Sequence, residues 1–245
     1  MTQKNFSIPE YLLEDTHSSR FSAAEWFEHV KQAKVAIFGA GGIGSNLAWQ
    51  LIKTSPRYCT IVDDDTVDSV NMGGQFFTYT AIGRHKATEL AKSLADYNMD
   101  TNFNYLLQRI DGNNIEALIK GYDAVFLGFD NMSARKAVFE QFCKEYSDYP
   151  ALLIDGRCSA TDFQVYDIPS DDPDKIKRYE NELFTDEEAD ATICSFKQTA
   201  YIASMTASCM MHAYINWFIQ KTGGFAVLPF KQEFNSLTSD YTTIM

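Results

Sequence analysis

Lys34-Val35-Ala36-Ile37-Phe38-Gly39-Ala40-Gly41-Gly42-Ile43-Gly44-Ser45 decides how this chain is read. A short apolar, β-rich run, Lys34–Gly39, passes through Gly39, Gly41, Gly42 and Gly44 into a stretch from Gly42 to Thr54 with the pattern of a helix. Glycines at that junction let the backbone turn tightly and bring helix N-terminal N–H groups against a phosphate. A second strand, Tyr58–Asp63, ends in a carboxylate nineteen positions after Gly44, where an acid can accept both ribose hydroxyls of a nucleotide. These features alone suit NAD as well as ATP. Glycines serving only close helix contact are the bland alternative, and the complete strand, loop, helix and acid context argues against it.

Outward from this unit the alternation continues. Gly83–Asn98 has helical spacing of Ala87, Leu90, Ala91 and Leu94, and Asn102–Leu107, Asn114–Lys120, Ala124–Gly128, Met132–Glu145 and Ala151–Asp155 keep the strand–helix rhythm. The expected fold is α/β and Rossmann-like, a mostly parallel sheet with helices on both faces and a C-terminal helix plus strand extension. Its ligand crevice belongs beyond the C-terminal strand ends. Residues 1–33 read as an N-terminal helical arm, 34–168 as the nucleotide-binding core, 169–195 as an acidic crossover loop, and 196–245 as a long helix and closing strand of the same domain. Phe163–Ile168 is strand-like, Phe196–Lys221 is helical and stops at Thr222-Gly223-Gly224, and Phe225–Phe234 reads as the closing strand.

With 245 residues and 45% hydrophobic content the chain can bury a substantial core. Thirty-three acidic against twenty-one basic residues give a formal charge of −12, which repels nucleic-acid phosphates and anionic lipid. A small anionic ligand must then be held by local N–H groups, a metal and a few placed cations. Cys59, Cys143, Cys158, Cys194 and Cys209 form no C-x-x-C pair, so the expectation is a reducing, cytoplasmic setting without zinc. The polar stretch Met1–Arg20 lacks an export segment. Ala200–Ile219 carries Ser204, Thr206, Ser208, His212 and Asn216, which fits a half-buried core helix rather than a membrane span.

Four downstream groups separate the nucleotide alternatives: Asp63-Asp64-Asp65, Asn71 with Gln75, Lys86, and Asp130-Asn131. All fall at strand ends or first helical turns, and together they supply ribose acceptors, amide donors, a cation and a metal-binding carboxylate. That set suits a triphosphate better than a nicotinamide. GAGGIGS, the D-x-D of Asp63 and Asp65, VDSVNMGGQ from Val67 to Gln75, GRHK ending in Lys86, and FDN with Asp130 resemble the ThiF, MoeB and HesA family, relatives of ubiquitin-activating enzymes. The resemblance runs in order from about Lys34 to Asp155. It implies an ATP-dependent adenylyltransferase with ATP and Mg2+, in which the Gly39–Gly44 loop and Gly41 carry the nucleotide, Asp63 the ribose, Asn71 and Lys86 the phosphates, and Asp130 the magnesium, with Asp65 and Gln75 in support. Taken singly, Lys86 reads as a solvated helix residue and Asp130-Asn131 as a helix cap.

One departure stands out: where the family has N-L-x-R-Q, this chain has Asn71-Met72-Gly73-Gly74-Gln75, so Gly74 replaces a phosphate-neutralising arginine. Arg84, Arg20 or Arg157 is left to supply that charge, or adenylation is slow or lost. Arg20-Phe21 weakly resembles the family's N-terminal arginine–aromatic pair. The implied reaction is attack of a carboxylate on the α-phosphorus of ATP, which needs no general base; accordingly His17, His29, His85 and His212 form no evident dyad. Cys194, at the start of the long helix with Lys197 three residues on, has the setting of an activated thiol, and Cys194-Ser195 resembles the Cys-Thr pair that carries a thioester in ubiquitin-activating relatives. Its bland alternative is a small buried core residue, the reading given to Cys59 and Cys209, with Cys158 undecided. The implied acceptor is a ubiquitin-like or sulfur-carrier protein, or a peptide with a free C-terminus, and the implied assembly is a homodimer. The competing readings are an NAD-binding oxidoreductase, which leaves Asn71, Lys86 and Asp130 unexplained, and a degenerate relative acting as a binding module, which Gly74 favours.

Overall fold

The computed structural model describes residues 20, 21, 23–185 and 199–245. Strands β1 (Lys34–Phe38), β2 (Tyr58–Val62), β3 (Asn102–Leu106), β4 (Ala124–Leu127), β5 (Leu152–Cys158), β6 (Asp162–Pro169), β7 (Lys231–Asn235) and β8 (Asp240–Ile244) form one sheet in the order β3-β2-β1-β4-β5-β6-β7-β8. From β3 to β5 neighbouring strands are parallel; β6, β7 and β8 extend the sheet antiparallel. The central runs Val35–Phe38 and Ala124–Leu127 are buried at every residue, as parallel strands covered on both faces must be. Successive side chains go to opposite faces. Val35, Ile37, Phe126 and Ile154 join the core under α2 (Gly42–Leu51), α3 (Lys86–Ala95) and α7 (Ala200–Lys221). Ala36, Phe38, Val125, Leu127 and Leu153 join the core under α4 (Ile115–Leu118), α5 (Met132–Glu145) and α6 (Pro173–Glu180). A short α1 (Phe27–Gln32) precedes β1. Each face is therefore closed by helices, the expected α/β Rossmann-like arrangement. Because β1 lies between β2 and β4, the strand order reverses there, which opens a crevice at the C-terminal ends of β1 and β4.

Three elements differ from the expectation. Within the segment read as an acidic crossover loop, Pro173–Glu180 forms α6. Asp172 caps it through Lys175 N at 3.0 Å, Pro173 occupies the first turn, Lys177 and Arg178 sit in the last, and Tyr179 anchors it in the core. The closing strand is shorter than Phe225–Phe234, running over Lys231–Asn235, and β8 follows it as a hairpin partner. β8 is exposed at all its positions, so it leaves no alternating pattern in the sequence. The long helix ends at Thr222 as read, with Gly223 at φ +81° and Gly224 N bonded to Ile219 O. Among the described residues no helix is long and apolar enough to cross a membrane.

β6 carries Asp167, fully buried; its Oδ2 accepts from Gln232 Nε2 at 3.1 Å, while Oδ1 has no partner among the described residues. Burial pushes its pKa well up from the usual 3.8, against the opposing pull of Lys175 and the Gln232 bond. A raised folded-state pKa contributes stability below the unfolded value that is lost as pH rises through the folded one. Asp167→Asn therefore stabilises the fold at pH 8 by roughly 1–3 kcal/mol and has a much smaller effect near pH 4. Urea titrations at the two pH values measure the difference; equal effects at both would show that Asp167 ionises as freely as in water.

Candidate functional site

Gly39 stands at φ +95°, where a Cβ would lie 3.0 Å from the Gly128 carbonyl group, and a Cβ on Gly44 would fall 1.8 Å from Gly39 O. The loop thus folds back on the first turn of α2 at backbone contact distance, which only glycine allows at these positions. Its N-terminal end is pinned on both sides, by Gly39 N to Val62 O and by Gly128 N to Phe38 O, at 2.9 and 2.8 Å. Gly41, by contrast, has nothing within 4 Å of a Cβ and is the residue before the first turn of α2, which has neither a side-chain cap nor an acidic residue. The loop presents uncapped N–H groups beside open space, an arrangement that favours an anion. Gly44→Ala should cost about 3 kcal/mol or more, whereas Gly41→Ala should melt within about 0.5 kcal/mol of the parent. Chemical denaturation of the two variants compares them directly, and equal losses would contradict the tight Gly39–Gly44 contact.

Asp63 follows β2 and binds the glycine loop: its Oδ2 accepts Ala40 N at 2.7 Å and its Oδ1 accepts Asp65 N at 2.9 Å. Burial raises its pKa above 3.8, while the Ala40 bond and the charge of Lys86 pull the other way. Lys86 begins α3 and is only 7% exposed, with Nζ 2.8 Å from Asp65 Oδ2. A backbone ladder makes this pairing: Val67 N binds Arg84 O, Gly83 N binds Val67 O, and Lys86 N binds Asp65 O. Lys86 is not the solvated helix residue that its position in the sequence first suggests; it is buried against an exposed carboxylate. One ligand oxygen each from Asp63, Asp64 and Asp65 lies within 4.8 Å of the others.

Asn71 belongs to a short 3-10 turn, Ser69–Gly73, where its Oδ1 accepts Asp68 N at 2.7 Å; its amide N is left as the donor end. Gln75 N binds Asn71 O, and Gln75 Oε1 is buried without a partner among the described residues. Asn46 on α2 donates to Gly42 O at 2.8 Å and Gly74 O at 3.4 Å, and Ser45 Oγ accepts Phe76 N. The glycine loop, the Asp63–Asp65 strand end, Lys86 and the 71–75 turn are therefore tied together. Asp130 lies at the neighbouring end of β4 and is exposed. The cap of α5 is Asn131, through Ala134 N at 2.8 Å, so Asp130 is not the capping side chain.

The three arginines considered in place of the missing one separate clearly. Arg157 is directed into the interior, with Nε 2.6 Å from Asp155 Oδ2 and its guanidinium 4.4 Å from the Tyr166 ring centroid. Arg84 is largely exposed and 3.3 Å from Glu89. Arg20 is exposed, and Phe21 beside it stacks on Trp26 at 6.0 Å. Cys194, with Ser195 and Lys197, lies outside the described residues. Burial pushes the Cys59 thiol up to about 12 and those of Cys143, Cys158 and Cys209 to about 11. These four are protonated and weakly nucleophilic at neutral pH. Sequence reading missed Arg135 and Asp155, which meet beneath Asp130 at 2.8 Å; an acid closing an apolar strand was the available signal. A cavity of about 580 Å³ opens on the α5 side, lined by Met132, Ser133, Lys136, Leu183, Phe184 and Thr185 among others.

The family model described as "ThiF family" matches residues 16–245. Among curated proteins, the chain is 32% identical over 114 residues to SUMO-activating enzyme subunit 2 of Dictyostelium discoideum, covering 46% of this chain and 17% of that protein. It is 29% identical over 142 residues to a probable molybdopterin-synthase adenylyltransferase of Porphyra purpurea, covering 56% and 37%. It is 33% identical over 131 residues to ubiquitin-like modifier-activating enzyme 5 of Dictyostelium discoideum, covering 49% and 34%. The match thus spans well under half the length of each of these relatives. Among solved structures, PaaA superposes with a TM-score of 0.73 at 17% identity, over 90% of this chain and 75% of PaaA. E. coli MccB with ATP superposes at 0.71 and 15% identity, over 89% and 65%. At these identities the structural likeness shows the fold.

Proposed function

The chain belongs to the ThiF family, and from that membership we propose that it is an ATP-dependent adenylyltransferase that activates a carboxylate as an acyl adenylate. The observation that carries the reading is the continuous connection Ala40–Asp63–Asp65–Lys86. Asp63, hydrogen-bonded to the glycine loop, sits two positions from Asp65, whose carboxylate holds a buried ammonium at 2.8 Å. An NAD-binding oxidoreductase would use the loop and Asp63 and has no use for the Asp65–Lys86 pair.

In the proposed reaction a substrate carboxylate oxygen bonds to the α-phosphorus of ATP, the α–β phosphoanhydride bond breaks, and pyrophosphate leaves with that bond's electrons. The carboxylate is already ionised, so the protein's contribution is positioning and charge neutralisation. Gly41 and the first turn of α2 receive phosphate, Asp63 the ribose, and Lys86 and the amide end of Asn71 the phosphate oxygens, with Asp65 and Gln75 in support. The donors at the strand ends are hard carboxylate oxygens, the chemistry magnesium requires. Asp130 would hold it, since its side chain is exposed and the helix cap is provided by Asn131. Held there, magnesium would supply charge neutralisation at the phosphates.

The substrate we infer is the C-terminus of a ubiquitin-like or sulfur-carrier protein or of a peptide, and the setting a cytoplasmic homodimer. The names of the curated relatives support the first two classes. For the peptide class the support is the likeness to MccB, which has also been solved with MccA.

ATP–pyrophosphate exchange in the presence of C-terminal peptides and ubiquitin-like proteins, with parallel calorimetric titration of ATP, Mg2+ and NAD, is the test. Exchange dependent on magnesium is expected. Tight NAD binding without ATP binding overturns the reading in favour of an oxidoreductase, and ATP binding with no exchange toward any carboxylate overturns it in favour of a binding module.

A further inference from the structure

Beneath Asp130 lies a buried network that the adenylation step does not itself use. Asp155, on β5 and wholly inaccessible, accepts Arg135 Nε on Oδ1 at 2.8 Å. Its Oδ2 accepts Arg157 Nε at 2.6 Å and Tyr179 OH at 2.8 Å. Arg135, on α5, extends the same guanidinium to two backbone carbonyls, Nη2 lying 2.6 Å from Phe129 O and 3.2 Å from Gly156 O. Phe129 is the residue immediately before Asp130. The turn carrying Asp130 is thus held at three points: Gly128 N on Phe38 O, Phe129 O on Arg135, and Asn131 Oδ1 on Ala134 N.

Resting on the adenylation reading, we propose that Arg135 is a positioning residue that fixes the turn carrying Asp130, so that the exposed carboxylate is pre-set for magnesium bound with ATP. A guanidinium suits this task because its planar fork bonds the Asp155 carboxylate and the two carbonyls in one fixed geometry. An ammonium at the same place keeps the charge beside Asp155 and loses that fork. Magnesium demands near-ideal octahedral geometry, so a ligand whose peptide is free to rotate binds it less well. Arg157 and Tyr179 share Asp155 and make no bond to Phe129, which separates a positioning effect from a purely structural one.

Calorimetric titration of Mg2+ into protein saturated with a non-hydrolysable ATP analogue reads the effect without turnover. Arg135→Lys should raise the magnesium midpoint roughly tenfold, leave analogue affinity in chelator unchanged, and recover at high magnesium. Tyr179→Phe should lower the melting temperature and leave the midpoint where it is. An Arg135→Lys midpoint equal to the parent's, or a metal-free affinity that falls in step with it, overturns the positioning assignment. If Arg135→Lys does not fold, Arg135→Gln, whose amide can still donate to Phe129 O, is read by the same criteria; failure of both to fold makes Arg135 a structural residue and overturns the proposal. A parent protein that binds the analogue with no magnesium dependence removes the adenylation reading, and this inference with it.

Discussion

Asp130→Ala lowers magnesium-dependent ATP–pyrophosphate exchange by roughly two orders of magnitude while its melting temperature stays close to the parent's. The separation follows from where the carboxylate sits. Asp130 is exposed at the end of β4, and the α5 cap is the Asn131 side chain, so truncation creates no cavity and uncaps no helix. An exposed side chain outside the core contributes about 0.5 kcal/mol or less to stability. In the proposed reaction it would contribute a hard oxygen for the cation that neutralises the phosphates. Exchange assays across a magnesium series, with thermal denaturation on the same preparations, provide the measurement. Undiminished exchange at ordinary magnesium would move the metal away from Asp130, and the Asp63–Asp65 carboxylates would be the next place to look.

The opposite balance is expected one layer down. Asp155→Ala removes the shared acceptor of two buried guanidinia, Arg135 and Arg157, whose side chains are 6% and 12% exposed. Leaving buried charges uncompensated costs about 3–5 kcal/mol, a fall in melting temperature of roughly 6–20 °C for a chain of this size. Burial works to raise the Asp155 pKa, and the opposing charges and hydrogen bonds of Arg135 and Arg157 hold it below 3.8. A depressed folded-state pKa contributes stability above the unfolded value that is lost as pH falls through the folded one. The gap between parent and Asp155→Ala should therefore be full at neutral pH and shrink below about pH 4. Asp155→Asn, which keeps an acceptor but not the charge, should fall between the two. Differential scanning calorimetry at pH 7 and pH 3.5 checks both statements; a gap independent of pH would show that the loss is one of shape rather than charge.

These predictions differ in how far the sequence reached. Asp130 was legible because it closes a strand in a spaced series with Gly39–Gly44, Asp63 and Lys86. Each member of the series is marked by its own local strand-end or first-turn pattern, and the strand-end rule brings such positions to one edge. Asp155 and Arg135 lie twenty positions apart and meet only because β4 and β5 are neighbours and α5 packs across them. No local spacing announces such a pair. Arg157 was open to a phosphate role in the sequence and is excluded from it by the fold, because the strand turns it toward Asp155, Tyr166 and Glu182 O. α6 was missed because its stability comes from Asp172, Pro173 and the burial of Tyr179 within a stretch whose overall composition is that of a solvated loop.

By itself, then, the sequence determined the parallel α/β core, the glycine turn at β1, and the set of strand-end acids and cation that point to a nucleotide. Periodicity and turn chemistry are properties of neighbouring residues, and they survive without knowledge of the rest of the chain. Tertiary structure alone decided that Lys86 is buried on Asp65, that Asn131 rather than Asp130 caps α5, and that a guanidinium holds the peptide before Asp130. The antiparallel extension β6–β8 is partly in this second class: β6 has a buried pattern of its own, whereas β8 is exposed throughout and exists because β7 offers it a free edge. The Lys86–Asp65 contact joins residues twenty-one positions apart, whereas Asn131–Ala134 and Arg135–Phe129 are near neighbours whose pairing is settled by how the turn is held in the fold. The free energy of such a contact depends on burial and on partners that only the assembled fold supplies.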